Sequence, residues 1–396
     1  MAVFNSLGSN YDFNFALKAI VSQNKKNDLD KLIQLLENRY CGKAILFYKA
    51  REAIKVALQL TNLPKGSKVA ITGFTCWAVY DAVHSAGYQV EYIDINENLN
   101  FSSIELKKRI DRTKIKAVII QNTLGYPCEI SQIEKICKEK DILLIEDLAH
   151  SIGTLYSDKR EAGTVGDFTI LSFSQDKIID GISGGALIVR NKKFSEKKLP
   201  PQKKLSLKAQ FKDRLYPLLT FVVRKTYKFV LGKILHVFLK KLNLLSKPIE
   251  NNNIQIHLLP NWYSSLIKLG FNKLSTNLEH RRYISSIYAQ NIDKKFLSSD
   301  IIKQISNSTN LRFPIFVANR KNLIELLKQN SIFVSDIWYD APIAPKKFLG
   351  LTNYENQCPN AEVISIRIVN LPTHVNITDM QAKTICQIIN KWAKSQ

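Results

Sequence analysis

Ser172 to Gly185 reads SFSQDKIIDGISGG, and the rest of the chain is best read outward from it. A β-prone run ends at Ser172-Phe173 and gives way to a polar turn carrying one lysine, Lys177. Gly181, Gly184 and Gly185 then lead into the apolar run Ala186–Val189. Upstream, Ile142–His150 (ILLIEDLAH) is a second apolar strand with two carboxylates at its C-terminal end. A lone turn lysine and a strand-end carboxylate pair, each beyond a buried strand, point to an α/β sheet with chemistry on its carboxyl edge.

The flanking sequence supports that architecture. Apolar periodicity predicts strands at Ala44–Tyr48, Lys68–Thr72, Gln89–Asp94, Ala117–Gln121 and Phe168–Phe173. Between them lie helical patterns at Arg51–Leu60, Ala78–Ala86, Ile104–Ile110 and Ile130–Lys138. Strand–helix repeats of this length imply right-handed crossovers and a mostly parallel sheet covered on both faces. Thr75, Asn122, Asp147 and Ser172 all follow strand ends and are expected on one rim. After Pro260 a long helix is predicted over Trp262–Ile292. A small α/β unit follows, with strands at Leu311–Val317 and Ser365–Val369 and a last helix capped by Thr378 with Gln381. The expected division is 1–260, a large domain, and 261–396, the linking helix with the small C-terminal α/β domain.

The 396 residues, 45% hydrophobic, can bury a large core and are not those of a disordered chain. Six scattered cysteines without a C-x-x-C pair give neither a zinc site nor a disulfide framework, as expected in a reducing cytoplasm. The first residues, MAVFNSLGSNYDFNF, do not read as a signal peptide. The net charge of +23 is uneven. Between Arg190 and Lys247 there are 17 Lys/Arg against Glu196 and Asp213, a local +15.

A lysine amine and a strand-end aspartate are what pyridoxal 5′-phosphate needs: the amine for a Schiff base, the carboxylate to keep the pyridine nitrogen protonated. Lys177 is the candidate amine, against the plain reading of a solvated turn lysine. Asp147 is the candidate carboxylate, against an N-cap of a following helix. Glu146 alternates to the other face and reads as structural. His150 is either a contact to the coenzyme's phenolic oxygen or a hydrogen-bonded loop histidine. Ser172 and the helix N-terminus at Ala50, Arg51 and Glu52 are candidates for the coenzyme phosphate, since orphan N–H groups and a positive dipole end suit an anion. The Arg51 guanidinium adds to that site or is an exposed first-turn residue. Trp77 either stacks near the coenzyme or packs in the core.

With these residues in place, the chain resembles the DegT/StrS family of sugar aminotransferases, fold type I PLP-dependent enzymes. The matching stretches are Ala50–Leu60, Phe74–Asn96, Gly125–Glu134, Ile145–Thr154, Ser172–Val189 and Cys358–His374. They span roughly residues 40 to 396, the basic segment excepted. The resemblance implies Lys177 as the PLP lysine, Asp147 as the pyridinium partner, His150 beside the ring and Ser172 on the phosphate. It implies a homodimer with shared active sites, in which Asn261 is the nearest match to a phosphate contact reaching the neighbouring subunit. It also implies transamination from glutamate to a nucleotide-linked keto-deoxysugar for glycan biosynthesis. A dehydratase branch carries histidine at the position of Lys177.

Three departures stand out. Lys49-Ala50-Arg51 replaces the usual S-G-T phosphate turn. Cys76 aligns with the usual stacking aromatic, leaving Trp77 one residue off. The segment from Lys192 to Leu259 is longer and more basic than usual. That insertion, at about 191–259, admits two readings: amphipathic helices over 203–247 lying on an anionic membrane, or a helical hairpin packed on the body with its charges solvated. Its longest uncharged stretch is too short to span a bilayer. Basic residues interleaved with aliphatics, without a nucleic-acid-binding motif, argue against nucleic acid. The alternative from another class is a catalytically inactive PLP-fold protein with a regulatory or membrane-docking role, for which the altered phosphate turn is the only support.

Overall fold

A computed structural model describes residues 2–246, 253–334 and 339–395; positions 247–252 of the basic insertion lie outside that range. Seven strands form the central sheet. In spatial order they are Lys43–Phe47, Gly185–Val189, Phe168–Ser172, Leu143–Asp147, Ile115–Gln121, Lys68–Thr72 and Gln89–Ile93. All neighbours are parallel except Gly185–Val189, which runs antiparallel to both strands beside it. That reversal follows from the glycine-rich return: Phe173 N–H donates to Gly184 O, and Gly181 N–H donates to Phe173 O. The chain therefore turns back beside its own strand instead of crossing over a helix.

Period-2 alternation feeds a core on each face of the sheet. Val69, Ile71, Ala117, Ile119 and Ile145 pack with the helices Ala50–Thr61 and Trp77–Ser85. Ala70, Val118, Ile120 and Leu144 pack on the other face with Lys26–Tyr40 and Ile130–Glu139. A third cluster holds the C-terminal unit together, from Ile284 through Phe313 and Val369 to Trp392. Its two strands, Arg312–Phe316 and Ile368–Pro372, are antiparallel. The Thr378–Gln381 capping box opens the last helix, Asp379–Ala393.

Two local expectations need correction. The helix expected over Trp262–Ile292 is two, Trp262–Asn272 and Leu274–Asn291, joined at Lys273 with φ −103° and ψ 6°. The first packs on the large sheet's core; the second crosses to the third cluster. The strand expected at Ser365–Val369 begins later, at Ile368, because Pro359–Ser365 is helical with Pro at its first turn. In the basic insertion Pro217 does not end its helix, which runs Leu207–Thr226. The break falls instead before the helix Val230–Lys241. There Gly232 permits the close approach, since a Cβ would stand 2.4 Å from Thr226 C.

Candidate active site

The carboxyl edge of the sheet carries a cavity of about 140 Å³. Lys49, Ala50, Arg51, Cys76, Gln121, Asp147, His150, Ser172, Lys177, Arg312, Tyr339 and Asn370 are among its walls. Asp147 ends one strand and Ser172 ends the strand beside it, so the parallel register brings the two together.

Lys177 sits in the turn beyond Ser172. That turn is braced from the N-terminus of the chain. Ser9 N–H and Oγ donate to Asp176 Oδ1, both at 3.2 Å, and Asn10 Nδ2 donates to Lys177 O at 3.1 Å. Tyr11 Oη donates to Asp180 Oδ1 at 2.6 Å, and Asp176 N–H donates to Asp180 Oδ2 at 2.7 Å. Asp176 itself takes φ +61°. The backbone of Lys177 is thus held on both sides, while its amine has no hydrogen-bond or ion-pair partner among the described residues. Burial pulls the Lys177 amine below the ordinary lysine value; Arg312 adds to this, and Cys76 and Asp147 oppose it. A lowered amine pKa raises the fraction in the neutral, nucleophilic form.

Asp147 is 3% exposed. Its Oδ1 accepts from Ala149 N–H at 2.9 Å in a turn, and no helix follows for it to cap. Burial raises the carboxyl, while the Ala149 N–H and the Lys177 charge pull it back. Glu146 faces the opposite side and is fully used. It accepts from the N–H groups of Gly163, Val165 and Gly166 and from Tyr156 Oη, at 2.6–2.8 Å. His150 Nδ1 accepts from Leu124 N–H at 3.2 Å, which puts the proton of the neutral ring on Nε2. Burial first, then Lys177 and Arg312, hold this imidazole well below the ordinary histidine range.

Opposite lies the start of the helix Ala50–Thr61, which has no side-chain cap. Gly185 packs directly on it: a Cβ there would stand 2.5 Å from Ala50 N. Lys49 and Arg51 bring two cations to this uncapped end, and both line the cavity.

The sequence profile of the DegT/DnrJ/EryC1/StrS aminotransferase family matches residues 14–210 and 259–390. The chain belongs to this family. It is 27% identical over 359 residues to the UDP-4-amino-4,6-dideoxy-N-acetyl-beta-L-altrosamine transaminase of Campylobacter jejuni, covering 85% of this chain and 84% of that one. It is 28% identical to the GDP-perosamine synthase of Escherichia coli O157:H7 over 166 residues, 40% of this chain and 45% of that one. Among solved structures it resembles Helicobacter pylori PseC, an aminotransferase involved in pseudaminic acid biosynthesis, at a TM-score of 0.74 and 17% identity with both chains wholly covered. The PLP-form of a putative sugar aminotransferase from Streptococcus pneumoniae gives 0.71 at 15% identity, covering 100% and 99%. The fold is that of the fold type I aminotransferases.

In this aminotransferase Lys177, Asp147, His150, Ser172, Ala50 and Arg51 meet at one cavity, and three expected residues do not. Glu52 N–H donates to Lys49 O, and its buried carboxylate accepts from His257 N–H at 2.9 Å on the far side of the helix. Trp77 is turned into the core against Phe348, with ring centroids 4.6 Å apart, while Cys76 takes the cavity wall. Asn261 opens the helix Trp262–Asn272, away from this chain's own cavity. On the rim, Thr75 Oγ1 donates to Gln121 Oε1 and Asn122 accepts from Cys128 N–H, so neither side chain is free.

The sequence reading missed the C-terminal wall. Tyr339 supplies the aromatic that Trp77 does not, stacked on Phe74 with centroids 4.4 Å apart. Arg312 is a guanidinium only 8% exposed. Its Nη1 donates to Leu311 O at 2.8 Å and its Nη2 to Asn5 O. It forms no ion pair among the described residues. The signal available was a lone charge in an otherwise apolar strand, Leu311–Val317.

Proposed function

We propose that this aminotransferase moves an amino group from glutamate to the keto carbon of a nucleotide-linked deoxysugar, with pyridoxal 5′-phosphate as coenzyme. The observation that carries the reading is the partnerless Lys177 amine lining one cavity with Asp147 at the sheet's carboxyl edge. The residues present fit the coenzyme. Lys177 is the amine that holds its aldehyde, Asp147 the carboxylate for its pyridine nitrogen, and His150 the neutral N–H donor beside the ring. Ser172 and the uncapped helix start at Ala50–Arg51, with Lys49, suit its phosphate in place of the usual S-G-T turn.

When bound, the coenzyme supplies an electron sink for the donor Cα–H and carries the nitrogen between substrates. The remaining work belongs to the chain. Lys177 would take the donor's α-proton and return it; its depressed pKa leaves more of the amine unprotonated, and so able to act as a base, than in a solvated lysine. Asp147, buried and tied to Ala149 N–H, is pulled to its charged form by a cationic ring nitrogen. Arg312 presents a buried guanidinium to the cavity and suits the donor's carboxylate in the glutamate half of the reaction. The donor leaves as a 2-oxo acid whose oxo oxygen comes from water, and the sugar's keto oxygen leaves as water, so the exchange balances without an oxidant. The reading includes a homodimer, supported by family membership and by Asn261 standing apart from its own cavity.

The test is turnover of 4-keto-6-deoxy nucleotide sugars with glutamate by the purified chain, with Lys177→Ala alongside. Amino-sugar nucleotide is expected from the parent, and neither product nor lysine-linked coenzyme absorbance from the variant. An unchanged spectrum in Lys177→Ala overturns the assignment.

A further inference from the structure

The family match breaks off at residue 210 and resumes at 259. The helix Val230–Lys241 lies in that gap. Its predecessor, Leu207–Thr226, is well seated: Tyr216, Pro217, Thr220 and Val223 are buried, and Arg224 Nη2 donates to Tyr11 O at 2.6 Å. The second helix is not. It buries only Gly232 and Leu239.

What it exposes is apolar. Phe229 and Val230 are 70% and 71% exposed, Leu231 66%, Ile234 60%, Val237 53% and Phe238 55%. The positions 230, 234, 237 and 238 recur at helical spacing, so they form one outward stripe. Lys228, Lys233, Lys240 and Lys241 are exposed around it. From 203 to 246 the sole acid is Asp213. It is buried, accepting from Tyr48 Oη at 2.9 Å and Tyr263 Oη at 2.6 Å. The hairpin therefore presents apolar side chains and positive charge, with no exposed carboxylate among its described residues.

We propose that Phe229–Leu242 docks the protein on an anionic phospholipid surface, with the stripe in the headgroup–acyl boundary and the lysines among the headgroups. Charge decides the occupant. A second copy meeting this face isologously would set lysine against lysine, and the residues concerned lie outside the part of the chain shared with the family. The helix lies on the surface and does not cross it: no helix among the described residues is long and apolar enough to span a bilayer. Four residues past the docked segment the chain touches a residue of the active cavity: Ser246 O accepts from Nε2 of Gln175 at 3.4 Å.

Vesicle flotation of the full chain tests this without reference to catalysis, so it fails independently of the transaminase reading. The chain is expected to float with vesicles of phosphatidylcholine plus phosphatidylglycerol at about 0.15 M salt, and not with phosphatidylcholine alone. Ile234→Asp with Phe238→Asp should lower partition on the order of tenfold or more. Lys240→Ser with Lys241→Ser should lower it roughly fivefold per residue. Solution turnover and thermal melting should stay at parental values, because these side chains are exposed. Absence of anionic binding, equal binding to neutral vesicles, or unchanged partition in the variants overturns the proposal. A fall in solution mass in the Ile234→Asp, Phe238→Asp variant without vesicle binding overturns it in favour of a second copy.

Discussion

Replacing Arg312 by Leu separates the two halves of the reaction. If the guanidinium holds the donor's carboxylate, its loss removes charge-assisted hydrogen bonds worth about 1.5–3 kcal/mol each. Counting one such bond fully and a second in part gives about 3 kcal/mol, a factor on the order of a hundred in kcat/KM for glutamate. The structural cost is smaller. Leu311 O keeps two other donors, Arg281 Nη1 at 3.2 Å and Thr373 Oγ1 at 3.1 Å. Only Asn5 O loses its side-chain partner, for about 1–3 kcal/mol of stability. The assay is single-turnover coenzyme absorbance, with glutamate in one arm and the amino-sugar nucleotide in the other. The donor arm should slow about a hundredfold and the sugar arm should hold near parental rates. Arg312→Lys, a point charge without the planar fork, should fall between. Arg312 also depresses the Lys177 pKa, so the Leu variant's pH profile should move upward. Equal slowing of both arms, or a donor arm within about threefold of the parent, refutes the role.

Other outcomes follow from the same geometry. Asp147→Asn keeps an acceptor for Ala149 N–H but loses the charge; turnover should fall on the order of a hundredfold or more with the melting temperature little changed. Because burial lowers the Lys177 pKa, the neutral amine accumulates at lower pH than for a solvated lysine. Capture of added coenzyme, followed by stopped-flow absorbance, should therefore rise with pH and level off below 10.5, the ordinary lysine value. The sign for folding is the same: between the depressed pKa and 10.5 the unfolded chain binds more protons, so stability rises with pH there. Gly185→Ala drives a Cβ against Ala50 N at 2.5 Å and Lys49 C at 2.7 Å, both backbone. It should cost about 1–3 kcal/mol in a urea melt and weaken coenzyme binding by displacing the helix start.

The alternating pattern of strands and helices, and with it the rim, was legible along the chain. A parallel sheet places successive strand ends at one edge, so Asp147 and Ser172 had to be neighbours once their strands paired. Lys177 followed, one tight turn beyond. The side a residue presents was harder to read. Glu52 and Trp77 sit at the expected positions in sequence, but a helix turns 100° per residue, and one step carries a side chain from cavity to core. The inner break at Lys273 and the unbroken helix through Pro217 were likewise settled by packing, which overrides local propensity.

Sequence by itself determined the sheet, the place of Lys177 and Asp147 on its carboxyl rim, and the family, because each is written in short-range periodicity and a contiguous motif. Only tertiary structure decided the rest. Arg312, Tyr339 and Asn370 reach the cavity from the C-terminal unit, and Ser9, Asn10 and Tyr11 brace the lysine turn from more than 160 residues away. Contacts of that separation leave no local signature, since the chain between them sets neither their distance nor their orientation until the cores have packed. The same holds for the hairpin: its composition allowed both a seated and an exposed helix, and burial assigned one to each half.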